Sequence, residues 1–276
     1  MRTRILFAAL AVAGSSVTGC SYFQSAAVIP AEPVASPKPA VKGSALRLAS
    51  GSGVLKAMHD LYAGKFLKTM SFLQNNTAYT SSGQEQHSQW YEHLEVPGKL
   101  RIAFLPATQR SGLVQVGEKV ASFDNGIRVD FRPSVNPVLL LTADVYAAPV
   151  PIIMRGLDSL SVDTEVIHND EWQGRPVYVI GAKAGDSTSN QMWIDADRLL
   201  LLRFIQRGKS TERPVVSDIR VESYKEIQGY QIPTEFLVIR NGRPVWREQY
   251  VNVRINEELP AGTFDQALWK DIPIPQ

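Results

Sequence analysis

The four histidines His59, His87, His93 and His168 are the side chains best suited by type to general-base or metal work, and their spacing argues against both. His87 and His93 would share one face of a strand, yet at ~3.3 Å per residue they stand ~20 Å apart, too far for one ion. His168 and Asp170 are two apart near a predicted strand end and could meet, although such a pair reads equally well as a solvated rim. Asp163 and Glu165 share a predicted strand face, but paired acid and base work needs a desolvated setting and nothing around them marks one. Asp195 and Asp197 flank Ala196 in a turn without the ligand run of a calcium loop. Gly181-Ala-Lys-Ala-Gly185-Asp186 lacks the Gly-Lys-Ser/Thr that grips phosphates, and neither His-Glu-x-x-His nor Gly-x-Ser-x-Gly occurs. These residues predict no enzyme, no metal site and no cofactor. A hydrolase assembled from Ser161, Asp163 and His168 is the rival catalytic reading.

One cysteine, Cys20, leaves neither a disulfide nor a thiolate metal cluster to be built within the chain. It follows Arg2 and Arg4, the apolar run Ile5 to Ala13 and the small residues of a cleavage region, the order of a secretory signal too short to span a bilayer. Val17-Thr18-Gly19-Cys20 resembles a bacterial lipobox, which implies cleavage before Cys20 and acylation of its thiol and new amino terminus. An ordinary secretory cut beside a free thiol is the alternative. Loss of Arg2 and Arg4 lowers Lys plus Arg from 29 to 27, equal to Asp plus Glu, so the formal charge of +2 vanishes. A neutral chain has no global attraction for phosphate backbones. Nucleic acid is therefore not an expected partner, despite the basic and aromatic residues between Trp90 and Arg101.

The chain divides into a signal at 1–19, a tether at 20–50 with Pro30, Pro33, Pro37 and Pro39, and one domain at 51–276. The tether would span on the order of 30 Å as a coil, enough to hold the domain off a membrane surface. Ser52 is the expected N-cap of a helix carrying Val54, Leu55, Met58, Leu61 and Tyr62 on one face, with Gly64 as its stop. Thirteen segments rich in β-branched and aromatic residues follow, at 66–79, 85–95, 99–105, 112–116, 119–124, 127–131, 161–168, 175–183, 189–195, 199–206, 215–226, 231–240 and 244–253. Asp124-Asn125-Gly126, Asp195-Ala196-Asp197 and Asn241-Gly242 punctuate them as hairpin turns. Between 136 and 157, Leu139, Leu140, Ala143 and Ala147 predict a short helix, with Pro149 and Pro151 breaking it before a further helical turn. The class is mainly β (α+β). So many antiparallel strands should curl into an incomplete barrel closed by a few helices.

What the strands do carry is a surplus of large apolar residues. Trp90, Leu100, Ile102, Phe104, Leu200, Leu202 and Phe204 are the expected lining of an apolar cavity for acyl chains. Leu199 to Leu202 does not alternate, so a two-sided core explains that run equally well.

Several stretches together resemble the family of bacterial lipoprotein carriers, outer-membrane lipoprotein receptors and lipoprotein-sorting proteins. They are Lys68-Thr-Met-Ser-Phe-Leu-Gln74, Pro97-Gly98-Lys99-Leu100-Arg101, Phe123-Asp-Asn-Gly126, Asn136-Pro-Val-Leu-Leu140 and Gln191-Met-Trp-Ile-Asp195 with Leu199 to Arg203. The resemblance covers most of residues 52–253. It implies a half-barrel closed by helices over an apolar cavity that holds acyl chains of a lipid or lipoprotein. The soluble carriers have an arginine where this chain has Val96, so their transfer chemistry does not carry over. Acylation at Cys20 would make the protein an anchored receptor rather than a shuttle, and Ser21 fits outer-membrane export facing the periplasm. An envelope sensor that meets a protein partner through the same fold is the alternative function.

Overall fold

A computed structural model describes residues 48–62, 64–208 and 215–274; the signal segment, Cys20 and the tether up to residue 47 lie outside the described residues. Among the described residues the expected strand count is met by thirteen antiparallel strands in two meanders. The first comprises β1 (Thr69–Tyr79), β2 (Glu85–Glu95), β3 (Lys99–Phe104), β4 (Gly112–Val116), β5 (Lys119–Asp124) and β6 (Ile127–Pro133). The second comprises β7 (Ile167–Trp172), β8 (Arg175–Ile180), β9 (Gln191–Asp195), β10 (Leu201–Arg207), β11 (Val216–Ile227), β12 (Tyr230–Arg240) and β13 (Arg243–Ile255). β1 pairs with β13, Met70 opposite Ile255, which fuses the meanders into one open sheet with β6 and β7 at its edges.

Laid flat, thirteen strands at ~4.8 Å spacing would be ~58 Å across, so the sheet curls to hide its apolar face. The helices fill the concave side. α1 (Gly51–Tyr62) buries Val54, Leu55 and Met58; its cap is Ser50 rather than the expected Ser52, since Ser50 Oγ accepts the Gly53 N–H at 3.1 Å. From the β6 edge the chain crosses the concavity through α2 (Pro137–Thr142), a 3-10 turn (Asp144–Tyr146) and α3 (Val150–Ser159), and arrives at the β7 edge. Asn136 caps α2 by accepting the N–H groups of Val138 and Leu139 at 3.0 and 3.2 Å. Pro149 and Pro151 do end the preceding helical stretch, but they also open α3, because a first helical turn needs no N–H from them. α3 can lie close to α2 because a Cβ on Gly156 would stand only 2.9 Å from Leu140 Cδ2.

Of the expected strand at 161–168 only Ile167 and His168 are strand, the start of β7, and 161–166 is a connection. Asp163 Oδ1 accepts the Glu165 N–H at 3.0 Å and Ser161 takes φ 58°, so local turns replace the ladder that alternation alone suggests.

One large core joins the concave face to the three helices. Two smaller clusters lie apart from it. Val114, Ala121 and Phe123 are covered by Trp269 of the C-terminal segment, and Val177, Val179, Ala182 and Leu202 pack with Trp172 and Trp193.

Candidate functional site

The helical crossover does not fill the concavity completely. Where β1, β2 and β3 meet β12 and β13, a hollow of about 700 Å³, counted out to its open mouth, remains beneath α2. It is a narrow slot rather than a wide void. Side-chain alternation builds its walls. Met70, Phe72 and Gln74 point in from β1, Trp90, Glu92 and Leu94 from β2, Leu100 and Ile102 from β3, and Glu248 and Tyr250 from β13. Val138, Leu139, Thr142 and Ala143 form the roof, and Phe66 and Leu67 enter from the loop after α1.

An aromatic group anchors the roof. Tyr146 packs on Tyr62 and Phe66 with ring centroids 5.2 and 5.0 Å away, and its hydroxyl donates to the Leu199 carbonyl at 3.0 Å. On the other flank Asp144 Oδ1 accepts the Gly98 N–H at 2.8 Å, tying the crossover to the β2–β3 turn. Burial raises the Asp144 carboxyl to about 6, and the Gly98 N–H offsets part of that rise.

Of the predicted lining, Trp90, Leu100 and Ile102 bound the hollow. Phe104 is half-buried beside it, its ring 5.0 Å from that of Trp90. Leu200 and Phe204 are buried in the main core away from the hollow. Leu202 is on the opposite face. Leu201 pairs with Ile194 and Arg203 with Trp193, so Leu202 is the extra residue of a bulge that inverts parity within the leucine run. The run therefore serves both faces of the sheet.

The rival catalytic residues are not gathered into a site. Ser161 and Asp163 are exposed in the connection before β7, while His168 Nδ1 contacts the Ala182 carbonyl at 2.8 Å and Nε2 lies 3.7 Å from Asp170. Asp195 turns inward to cap its own loop, accepting the N–H groups of Asp197 and Arg198. His93 is buried against Ser71 at 2.8 Å, with burial foremost and Arg101 second in lowering it to about 4.

Sequence reasoning missed the polar members of the hollow. Glu92 and Glu248 are each 4% exposed, on the two strands that flank β1. Burial pushes Glu92 well above the ordinary carboxylate range, with repulsion from Glu248 adding to it. Burial also lifts Glu248 to about 7, although its carboxylate accepts from Trp246 Nε1 at 2.9 Å and from the Tyr250 hydroxyl at 3.4 Å. The signal was present in the alternation: Trp90-x-Glu92-x-Leu94 and Trp246-x-Glu248-x-Tyr250 each set an acid between large residues on one strand face.

Among the described residues no group of His, Cys, Asp and Glu is placed to hold a metal ion, and no helix is long and apolar enough to cross a membrane. Neither a protein-family model nor a curated protein matches the chain. Solved structures do. A DUF1329 family protein from Desulfovibrio piger superposes with a TM-score of 0.56 at 14% identity over 79% of this chain and 97% of that one. A putative outer membrane lipoprotein-sorting protein domain from Vibrio parahaemolyticus gives 0.56 at 11% identity, covering 80% and 98%. A LolA superfamily protein from Nitrosomonas europaea gives 0.51 at 14% identity, covering 79% and 98%. The chain thus has the fold of these three proteins across nearly the whole of each, an incomplete barrel with helices in its concavity.

Proposed function

We propose that this protein is an outer-membrane lipoprotein, anchored through Cys20 and facing the periplasm, that binds an acyl chain of a lipid or lipoprotein in the hollow beneath α2. The observation that carries this reading is the hollow itself, apolar on most of its wall and partly open to solvent. The fold likeness to a lipoprotein-sorting domain and to a LolA superfamily protein supports it. Each methylene taken from water contributes about 0.8 kcal/mol before the cost of association, so a slot that accepts one chain suffices for useful affinity. Binding needs no catalytic group.

Native mass spectrometry of the full chain carrying Cys20→Ser, mixed with a single-chain phospholipid, tests the cargo. A one-to-one complex that disappears in Ile102→Trp is expected, and absence of any bound chain would remove the reading. Metabolic labelling with an alkyne fatty acid tests the anchor, with label expected on the wild-type chain and none on Cys20→Ala.

A second reading, an envelope module that meets a protein partner, is favoured by one observation. Ile127, Val129 and Phe131 are 65, 53 and 50% exposed along the edge strand β6. Edge strands with apolar faces are templates for pairing with another chain. Under this reading one stoichiometric envelope protein is retained by the wild-type chain and lost by Val129→Lys, with lipid binding unchanged.

A further inference from the structure

The hollow is apolar but not featureless, and its polar groups form a seam across three neighbouring strands. Glu92 on β2, Gln74 and Asn76 on β1, and Glu248 on β13 are all buried, at 4, 2, 2 and 4% exposure. The register runs diagonally: Glu92 stands opposite Phe72, Gln74 opposite both Trp90 and Tyr250, and Asn76 opposite Glu248. Gln74 Nε2 donates to Asn76 Oδ1 at 2.6 Å, which satisfies one end of each amide. Glu248 accepts from Trp246 and Tyr250, but two other atoms of these side chains are not satisfied. Among the described residues Glu92 Oε1, on the wall of the hollow, has no hydrogen-bond partner, and neither has Asn76 Nδ2, a donor that does not line the hollow.

A buried polar atom without a partner costs about 1–3 kcal/mol, and replacing Glu92 by an apolar residue would remove that penalty without loss of packing. An acid retained there, aimed into a slot that opens to solvent, has the character of a binding group rather than a stabilising one. Its sign is informative. Among the described residues, those that bound the hollow include two glutamates and no lysine, arginine or histidine. A ligand carboxylate or phosphate pressed against this seam would find no cation to balance its charge in a poorly solvated space, and would oppose ionisation of the two carboxyls. An ammonium or hydroxyl would instead donate to them, and a desolvated charge-assisted hydrogen bond is the stronger kind.

We propose that the seam of Glu92, Gln74 and Glu248 is a recognition site for a hydrogen-bond donor, an amine or a hydroxyl, carried on the inserted part of an apolar ligand, and that it disfavours a free carboxylate. This inference rests on the acyl-chain reading of the hollow and adds the ligand class that the hollow selects.

Matched twelve-carbon probes test it. The full chain with Cys20→Ser is loaded with the uncharged fluorophore N-phenyl-1-naphthylamine near neutral pH and titrated with dodecylamine, dodecanol or dodecanoate below their aggregation concentrations. The amine and the alcohol are expected to displace the fluorophore at concentrations at least about tenfold lower than dodecanoate, and the gap is expected to shrink below about threefold in Glu92→Gln/Glu248→Gln. Circular dichroism and thermal melting establish that the double variant is folded; Glu92→Gln alone, which keeps the shape of the side chain, supplies the comparison if it is not. Equal displacement by all three probes, preference for dodecanoate, or a preference that survives in the folded variant would overturn the seam while leaving chain binding intact. Failure of the fluorophore and of every probe to bind would instead remove the acyl-chain reading.

Discussion

Arg101 lies against the indole of Trp269, its guanidinium carbon 3.9 Å from the ring centroid, and donates Nη2 to the Trp269 carbonyl at 2.8 Å. The two residues are 168 positions apart, and their contact fastens the C-terminal segment to the outer face of β3. Trp269 also stacks on Phe123 at 4.4 Å with an interplanar angle of 4°. Burial lowers Arg101 to about 10, so the stacked ring and the carbonyls of Trp269 and Thr263 are what hold a charge removed from water.

Trp269→Ala should therefore destabilise the domain by about 3–5 kcal/mol, the range for a large buried aromatic, because it opens a cavity and strips a buried cation of its partner. Urea unfolding measures this. Since the outer cluster is separate from the hollow, lipid affinity of the folded fraction should be unchanged.

Glu248 makes stability depend on pH in a direction opposite to that of a salt-bridged acid. Its folded value, about 7, lies above the ordinary 4.5, so the native state holds a proton that the unfolded chain has already released. Stability is greatest below about pH 4.5 with respect to this group and falls as pH rises to about 7, by on the order of 3 kcal/mol at full ionisation. Glu248→Gln should flatten that slope and raise the melting temperature at pH 8 while leaving it nearly unchanged at pH 4.5. Glu92→Gln should act in the same sense, since Glu92 is also raised.

How far the sequence foretold the structure follows from what each element depends on. Strand positions depend on alternation and turn chemistry, both local, and twelve of the thirteen expected strands fall where the ladder forms. The exception, 161–168, was decided by Asp163 binding the Glu165 backbone, a competing local bond that alternation does not register. Facing is less local. Trp90, Leu100 and Ile102 reach the hollow because β2 and β3 pair without interruption, whereas the bulge at Leu202 turns it to the outer face while Phe204 stays in the core. The acids were visible within their apolar strand faces, but each strand alone gave no reason to expect that Glu92 and Glu248 flank one hollow. Only the pairing of β1 with β13, which joins the two ends of the domain, brings them there.

That difference in facing yields a paired test. Ile102→Trp should fill the slot and weaken chain binding by at least about tenfold with the fold retained, because the added volume displaces ligand and not protein. Leu202→Ala should do the reverse, destabilising by about 2–3 kcal/mol through a cavity in the outer cluster and leaving affinity unaltered. Fluorophore displacement and chemical denaturation on the same samples separate the two effects.

Asp144 is the place where the roof meets the wall. Its carboxyl holds the Gly98 N–H at 2.8 Å, and it begins the 3-10 turn that follows directly on Thr142 and Ala143 at the hollow. Any chain thicker than the present slot needs this roof to lift, since Val138, Leu139, Thr142 and Ala143 close over it. Removing the pin with Asp144→Ala should cost about 1–2 kcal/mol of stability, as expected for an N–H deprived of a buried acceptor. It should also raise the association and dissociation rates of a bound chain together, by several-fold, with a smaller change in affinity, because the tie resists opening in both directions. Asp144→Asn keeps an acceptor for Gly98 and sheds the buried charge, so it should restore near-native rates. Stopped-flow displacement of the fluorophore distinguishes the two variants, and equal rates in wild type and Asp144→Ala would mean that the chain enters without moving the crossover.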